Sequence, residues 1–298
     1  MNIYVNRRPV DGPWGGGSKM LRAIIDELIT RGHAVYLDGE FASMPRADVI
    51  LCIDPRPSSF VNYEMLHAYR QRHGSKIVQR VGDIGTHGKP DLRDLVNITT
   101  QYSDRIVFIS NWAKTQVGTR PDAHVIANAA SEVFFKRGQT DSRKIVTHHW
   151  SNNPMKGFDV YQSLDRFCEE TDDYDFTFVG RCPENLVLRH HVQPLAEEEM
   201  SHFLTTQGVY VTASQAEAGG CHALEAIAAG LPVLYHRAGG GIVEYCEGRG
   251  IEFENFSDLV SILKNRKDEI EKIRSLPPVT RDAKHMAIEY AQFIEESA

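Results

Sequence analysis

Residues 209–235 read VYVTASQAEAGGCHALEAIAAGLPVLY, and this stretch decides the fold class. The apolar run 209–212 predicts a strand, and the run 232–235 predicts a second one. Between them, residues 221–229 are rich in Ala, Leu and Ile and predict a short helix that begins just after two glycines. A strand, a helix and a strand in this order predict two parallel strands joined by a right-handed crossover.

The same alternation of apolar runs and helical periodicity extends over the whole chain. Such alternation is typical of α/β folds with parallel sheets. The predicted strands are 2–5, 34–37, 48–53, 75–81, 105–109, 125–128, 144–148, 175–179, 209–212 and 232–235. The predicted helices are one capped by Ser18 and those at 63–73, 111–117, 157–168, 197–205, 221–229, 256–263, 267–273 and 280–297.

The polar stretch 135–143 is the best candidate for a linker between two domains. We therefore predict an α/β protein with two doubly wound, Rossmann-like domains that face a central cleft. The first domain is expected at residues 1–135 and the second at 136–280, and the final helix at 281–298 is open to crossing back to the first domain. Ligands are expected at the carboxyl ends of the strands, near helix N-termini.

Composition places the chain among ordinary globular proteins, with 298 residues, 42% hydrophobic and 24% charged residues. No apolar run approaches the roughly 20 residues that a membrane span needs. The start of the chain has no apolar signal region, and the five cysteines form no C-x-x-C motif, so we expect a cytoplasmic protein without disulfides or thiolate zinc. The net charge of −7 argues against nucleic acid as a partner.

The charge is unevenly distributed, since residues 1–130 carry 16 Lys and Arg against 13 Asp and Glu. This mildly basic first part leaves open a weak association with a membrane surface or an anionic partner.

The glycine-rich segment 12–18 follows the first predicted strand and precedes a helix. It lacks the last glycine of G-x-G-x-x-G and the G-K-[ST] of a P-loop, which disfavours a nicotinamide enzyme and a P-loop kinase. Its backbone N–H groups still offer contacts to an anion, and Gly16 and Gly17 permit close approach. The alternative is a tight turn that binds no ligand.

Two glutamates, Glu217 and Glu225, are eight residues apart, with Gly219 and Gly220 between them at the predicted start of a helix. The backbone N–H groups at that start lie at the positive end of the helix dipole and suit a pyrophosphate. Carboxylates beside them suit sugar hydroxyls. The alternative is a pair of solvated glutamates that flank a packed helix.

This pattern resembles the retaining GT-B glycosyltransferases of glycosyltransferase family four, also called glycosyl transferases group 1. Glu217 and Glu225 match the glutamate-x7-glutamate motif of that family, together with the run 224–233. Weaker matches follow in the same order along the chain: 15–17, 109–112, 125–128, Lys156-Gly157 and 178–180.

The resemblance implies a role for each matched residue. Glu225 would hold the ribose hydroxyls of a nucleotide, Glu217 would lie at the transferred sugar, and Lys156 would neutralise the leaving diphosphate. Val192 belongs to the loop where the base would lie. The remaining donor-binding residues that the resemblance implies are Gly16, Gly17, Gly219, Gly220, Cys221 and His222.

The chain departs from the family pattern just before Lys156, where the usual arginine is absent. Arg181 is one candidate for the missing cation. The other candidates are the neutral donors His149, Ser151 and Asn152.

Asp83 and His87 follow a predicted strand end in the first domain. Acceptor and catalytic groups would project there, so both are candidates for hydrogen bonds to the acceptor or to the transferred sugar. The alternative is a solvated surface loop.

We therefore expect a hexosyl-type, retaining transfer from a nucleoside-diphosphate sugar to an acceptor hydroxyl in glycan synthesis. The donor would be a substrate, with no tightly bound cofactor and no metal, and the acceptor would be a glycan, a lipid-linked glycan or a small molecule. A sugar-nucleotide epimerase or phosphorylase and a non-catalytic sugar-nucleotide-binding or scaffold protein stay open as alternatives, as does the oligomeric state.

Overall fold

The computed structural model describes residues 1–11, 15–118 and 120–298, and the chain divides into two compact units. Among the described residues, the first unit comprises 1–11, 17–118, 120–128 and 281–298, and the second comprises 15–16 and 129–280. The change between units thus lies at 128/129, whereas the sequence placed its domain boundary at 135/136. Residues 12–14 of the predicted glycine-rich turn lie outside the described residues.

The first unit contains one sheet of six parallel strands in the order β2-β1-β3-β4-β5-β6. Its strands are β1 (Asn2–Val5), β2 (Ala34–Leu37), β3 (Val49–Cys52), β4 (Lys76–Val81), β5 (Arg105–Phe108) and β6 (His124–Val125). Its helices are α1 (Gly16–Thr30), whose first residue is counted in the second unit, α2 (Tyr63–His73), α3 (Leu92–Tyr102), α4 (Asn111–Gln116) and the C-terminal α11 (Ala283–Glu295).

The second unit contains another sheet of six parallel strands, in the order β12-β11-β10-β7-β8-β9. Its strands are β7 (Lys144–His149), β8 (Asp175–Gly180), β9 (His191–Val192), β10 (Val209–Thr212), β11 (Val233–His236) and β12 (Gly250–Phe253). Its helices are α5 (Phe158–Thr171), α6 (Glu197–Leu204), α7 (Cys221–Ala228), α8 (Gly241–Tyr245), α9 (Phe256–Asn265) and α10 (Lys267–Arg274), with 3₁₀ turns at Glu132–Phe134 and Pro154–Lys156.

The central strands are buried along their whole length because helices cover both faces of each sheet. Every residue of β3 and of β10 is buried. In the second unit, one apolar cluster packs α5 and α9 against the sheet, and a second cluster packs α6 and α7 against the other face. These two layers fix the strand ends from which the functional loops emerge.

Strand order locates the point where a ligand is expected in the second unit. From β7 the chain proceeds to β8 and β9 on one side, and then returns to β10, β11 and β12 on the other side. The connections therefore diverge between β7 and β10, and a crevice opens at their carboxyl ends. The loops after these two strands carry Lys156 and Glu217.

The C-terminal segment packs within the first unit. The guanidinium of Arg281 donates to the backbone oxygens of Ala127 and Asn128, at 2.9 and 3.1 Å. The buried Arg80 donates to Asn128 Oδ1 at 2.8 Å and to the Tyr290 hydroxyl at 3.2 Å. These polar contacts attach α11 to the end of the first sheet.

One predicted helix start is corrected by the structure, and several elements were not predicted. Helix α1 begins at Gly16, so Ser18 lies inside it and does not cap it; its Oγ instead accepts from the Val10 N–H at 3.3 Å. Helix α3 and strands β9 and β12 were not predicted. None of the helices in the described part of the chain is long and apolar enough to cross a membrane.

Candidate functional site in the second unit

The loop after β7 presents Lys156 from a rigid turn. Asn153 Oδ1 accepts the Met155 N–H at 2.9 Å and begins the 3₁₀ turn, and Gly157 ends it with a φ of 79°. A Cβ at Gly157 would come within 2.5 Å of the Ala213 carbonyl oxygen, so only glycine allows this close approach. The Lys156 backbone is thereby fixed against the loop that follows β10.

The loop after β10 holds Glu217 in a strained backbone. Ala216, directly before it, has a φ of 49°, in the left-handed region that side-chain-bearing residues seldom adopt. The Glu217 N–H donates to the Gly239 oxygen at 3.2 Å, and the Glu217 oxygen accepts the Gly241 N–H at 2.8 Å. These bonds on both sides of the peptide hold the strained turn in place and fix where the carboxylate projects.

Lys156 and Glu217 form an ion pair through Lys156 Nζ and Glu217 Oε1. Both side chains are largely buried, with 11% and 15% of their surface exposed. Because a charge removed from water is costly unless it is compensated, the ammonium and the carboxylate depend on one another for stability. The pair thus concentrates a positive and a negative charge at the crevice between β7 and β10.

Glu225 projects from α7 into a second polar contact. Its Oε2 lies 2.8 Å from His148 Nε2, and the two side chains are 8% and 14% exposed. His148 Nδ1 lies 3.1 Å from the hydroxyl of Tyr210, a fully buried residue of β10. A tyrosine, a histidine and a glutamate are therefore linked in series across β10, β7 and α7.

The N-cap residue of α7 is Gly220, which has no side chain with which to cap the helix. A Cβ at Gly220 would come within 2.7 Å of Ile242 Cγ1, and one at Gly16 would come within 2.3 Å of Cys221 Sγ. The first N–H groups of a helix lack partners within the helix and attract anions. Gly16 and Gly220 therefore allow close packing around the start of α7 and add no side chain there.

His222, in the first turn of α7, is held in its neutral form. Burial, followed by the nearby charge of Lys156, lowers the pKa of this imidazole to about 3. Its Nε2 lies 3.0 Å from the hydroxyl of Thr212 at the end of β10. The side chain therefore contributes a hydrogen bond, and no cation, next to the ion pair.

This depressed pKa predicts an acid-sensitive fold. From the usual pKa of 6.5 down to about 3, the unfolded chain binds a proton at His222 that the folded protein excludes, so stability falls as the pH falls. Protonation of His222 should lower the unfolding free energy of the wild type by about 2 kcal/mol between about pH 7.5 and pH 5, and His222→Gln should not show this loss. Urea unfolding at both pH values measures this change in stability, and His202→Gln, at an exposed histidine, is the matched control. Equal pH dependence of stability in the wild type and in His222→Gln would contradict the low pKa of His222.

Arg181 and His149, two of the predicted substitutes for the missing arginine, make different contacts. The Arg181 guanidinium carbon lies 4.4 Å from the ring centroid of Trp150, in a cation–π contact. His149 is buried, with Nε2 2.6 Å from the Tyr161 hydroxyl. Arg181 is the exposed cation of this set, and His149 belongs to the packed layer beneath the loop.

The predicted base-binding and glycine-loop residues have less distinctive surroundings. Val192 was predicted in a loop, but it is partly buried in strand β9, which pairs with β8. It lies beside His191, whose Nε2 is 2.7 Å from the Gly180 oxygen. Gly17 belongs to α1 in the first unit, and a Cβ there would meet no described atom within 4 Å. Packing therefore requires glycine at Gly16 but not at Gly17, and Gly219 lies in the loop before α7.

Asp83 and His87 follow β4 in the first unit, whereas Lys156, Glu217 and Glu225 belong to the second unit. Asp83 forms an ion pair with Lys89 and accepts the Gly85 N–H at 2.8 Å. Over residues 1–11, 15–118 and 120–298, no group of three or more His, Cys, Asp or Glu side chains is arranged to hold a metal ion.

His148 and Tyr210 were not among the predicted site residues. The available signal was the pair His148-His149 at the end of a predicted strand, at the crevice edge. Neighbours on a strand point to opposite faces, and the structure turns His148 towards Glu225 and His149 towards Tyr161.

Comparison with known proteins locates the family similarity in this unit. Residues 131–253 match the family model of glycosyl transferases group 1. The resemblance predicted from the sequence is therefore confirmed for the segment that carries Lys156, Glu217 and Glu225. No curated protein matches the chain.

Solved structures extend the similarity to the whole chain. A sucrose-phosphate synthase (tll1590) from Thermosynechococcus elongatus is 13% identical, with a TM-score of 0.69 over 99% of this chain and 98% of the other. Alr3699/HepE of Anabaena, solved with UDP-glucose, is 16% identical, with a TM-score of 0.70 and the same coverage. WaaG, a glycosyltransferase involved in lipopolysaccharide biosynthesis, is 16% identical, with a TM-score of 0.67 and 99% of both chains covered. The α/β fold of this chain is the predicted GT-B fold.

Proposed function

We propose that this protein transfers a hexose-like sugar from a nucleoside-diphosphate sugar to an acceptor hydroxyl, with retention of the anomeric configuration. The observation that carries the proposal is the buried Lys156–Glu217 ion pair at the crevice where the connections of the second sheet diverge. The start of α7, with its glycine N-cap, and the carboxylate of Glu225 complete a set of groups suited to a nucleotide sugar. The group 1 match over the same residues supports glycosyl transfer as the reaction class.

The donor site divides between phosphate and sugar. Lys156 and the first N–H groups of α7, at Cys221 and His222, would stabilise the negative charge that develops on the leaving diphosphate. Glu217 would accept hydrogen bonds from the transferred sugar, and Glu225 would accept them from the ribose. Arg181, Gly16 and Val192 would border the same ligand at its phosphate and base ends.

The transfer step breaks the bond between the anomeric carbon and the diphosphate oxygen, and forms a bond from that carbon to the acceptor oxygen. We propose that the departing diphosphate takes the acceptor proton on the same face of the sugar, which gives retention without a separate protein base. Lys156 compensates the charge on the diphosphate while the bond breaks. Asp83 and His87 of the first unit are proposed to hydrogen-bond the acceptor or the sugar.

The acceptor is proposed to be a glycan, a lipid-linked glycan or a small hydroxylated molecule. The reaction is proposed to belong to glycan or glycoconjugate synthesis in the cytoplasm, and a weak association with a membrane surface is left open. Support comes from the similar structures: HepE is solved with UDP-glucose, and WaaG is involved in lipopolysaccharide biosynthesis. The nucleotide sugar is a substrate in this account, and the proposal invokes no tightly bound cofactor or metal.

Nucleotide binding tests the proposal. We expect one nucleoside diphosphate among UDP, GDP, ADP, CDP and dTDP to raise the melting temperature of the protein, because a ligand that binds only the folded state stabilises it. Loss of the ribose hydrogen bonds in Glu225→Ala should weaken that binding by about 10- to 100-fold, as measured by titration calorimetry.

The matched control is Glu198→Ala, which removes an exposed glutamate that pairs with Lys136 in the same unit. It should bind like the wild type. A folded wild-type protein that binds none of the five nucleotides, or a Glu225→Ala variant with undiminished affinity, would contradict the donor site.

A further inference from the structure

We propose that His148 is a positioning residue that fixes the carboxylate of Glu225 for recognition of the nucleotide ribose. The inference rests on the proposed function, because it deepens the role given there to Glu225. His148 acts through Glu225 and is assigned no contact with the reacting atoms.

His148 is positioned by the sheet. It is the penultimate residue of β7, whose register against β8 pairs His148 with Val179. Its Nε2 lies 2.8 Å from Glu225 Oε2, within the range of a good hydrogen bond. Because β7 is held by ladders on both sides and α7 is packed against the sheet, both partners are attached to rigid elements.

Tyr210 holds His148 from the side opposite to Glu225. The Tyr210 hydroxyl accepts the backbone N–H of His148 at 3.1 Å, so its own proton is directed to acceptors on His148. Nδ1 lies at 3.1 Å and the backbone oxygen at 3.3 Å. Burial raises the pKa of Tyr210 well above its usual value, so the hydroxyl keeps its proton. Because an ionised carboxylate can only accept hydrogen bonds, the contact with Glu225 requires that His148 Nε2 carries a hydrogen and donates it.

A hydrogen bond from His148 fixes the orientation of the Glu225 carboxylate. An ionised carboxylate has roughly four acceptor positions, and the bond from His148 uses one of them. In the proposed role, the oriented carboxylate would accept hydrogen bonds from the ribose hydroxyls. A pair of adjacent ribose hydroxyls then finds its acceptor already oriented, so less side-chain freedom is lost on binding.

Two substitutions separate this role from general packing. His148→Asn retains an amide near the position of Nδ1 but is too short to donate to Glu225. His148→Gln can carry an amide N–H to the position of Nε2. The histidine control is His202→Asn, at an exposed position of α6 in the same unit.

The probes are UDP, GDP, ADP and CDP, each measured beside its 2′-deoxy form by titration calorimetry. In the wild type, the nucleotide that binds should be favoured over its 2′-deoxy form. In His148→Asn, we expect the ribonucleotide affinity to fall about tenfold and the preference over the deoxy form to shrink to the same extent. His148→Gln should restore most of the preference, and His202→Asn should match the wild type.

Combination with Glu225→Ala gives the second readout. If His148 acts only through Glu225, His148→Asn should cause little further loss of affinity in the Glu225→Ala background. If the wild type prefers ribonucleotides and His148→Asn keeps the same preference, the positioning role of His148 is overturned while the proposed function stands. Full additivity of the two substitutions would also overturn it, whereas a wild type that binds no nucleoside diphosphate would overturn the proposed function and this inference together.

Discussion

Replacement of Lys156 with methionine is expected to lower kcat for sugar transfer by about 100- to 1,000-fold, the range seen when one charge-stabilising group is removed from an active site. The physical reason is that the ammonium is largely buried and already held in the crevice by Glu217. Charge that develops on the departing diphosphate would then lack its nearest compensating cation. Steady-state transfer rates with the donor and acceptor found by screening measure the effect.

The substitution has a structural cost that must be separated from the catalytic one. Removal of Lys156 takes the ammonium away from the largely buried Glu217 carboxylate, and breaking a buried ion pair in this way costs about 3–5 kcal/mol of stability. The double variant Lys156→Met/Glu217→Gln carries no such charge and is expected to fold and to be inactive. Lys136→Met is the matched control, because it breaks an exposed ion pair with Glu198 in the same unit and should retain activity. A folded Lys156→Met variant with the wild-type rate would contradict the assignment.

Gly180→Ala is expected to cause the largest loss of stability of any single methyl addition considered. Gly180 ends β8 with a φ of 117°, and a Cβ there would lie 1.9 Å from the His149 carbonyl oxygen. Backbone strain and the clash should together cost about 3 kcal/mol or more. Thermal unfolding should therefore shift down by roughly 6–12 °C.

Gly248→Ala is the control for this effect. Gly248 also has a positive φ, 69°, but a Cβ at this position would meet no described atom within 4 Å. Only the conformational penalty remains, about 1 kcal/mol. If Gly180→Ala and Gly248→Ala had the same melting temperature, the close contact between Gly180 and the end of β7 would not explain why glycine is required at position 180.

The parts of the fold that local periodicity encodes were predictable from the sequence. The prediction for 221–229 differs from α7 by one residue, and β10 was predicted with the bounds that it has. Both signals arise from residues close together in the chain. In the structure, Glu217 lies just before α7 and Glu225 lies within it, so the two carboxylates are on either side of the helix start.

The partners of those glutamates could not be predicted, because they come from distant segments. Lys156 precedes Glu217 by 61 residues, and His148 precedes Glu225 by 77. Only the order of strands, with β7 beside β10, brings these pairs together. The strained φ at Ala216 also gives no sequence signal, since it is maintained by backbone bonds to the segment that follows β11.

The most direct test of the central claim is release of nucleoside diphosphate from UDP-, GDP-, ADP- and dTDP-sugars, with and without a panel of hydroxylated acceptors. We predict that the wild type releases the diphosphate from one donor class and that Lys156→Met/Glu217→Gln releases none above background. We also predict that the new sugar linkage, examined by NMR, has the anomeric configuration of the donor. Release from no donor by a cooperatively folded wild type, or equal release by the double variant, would contradict the account.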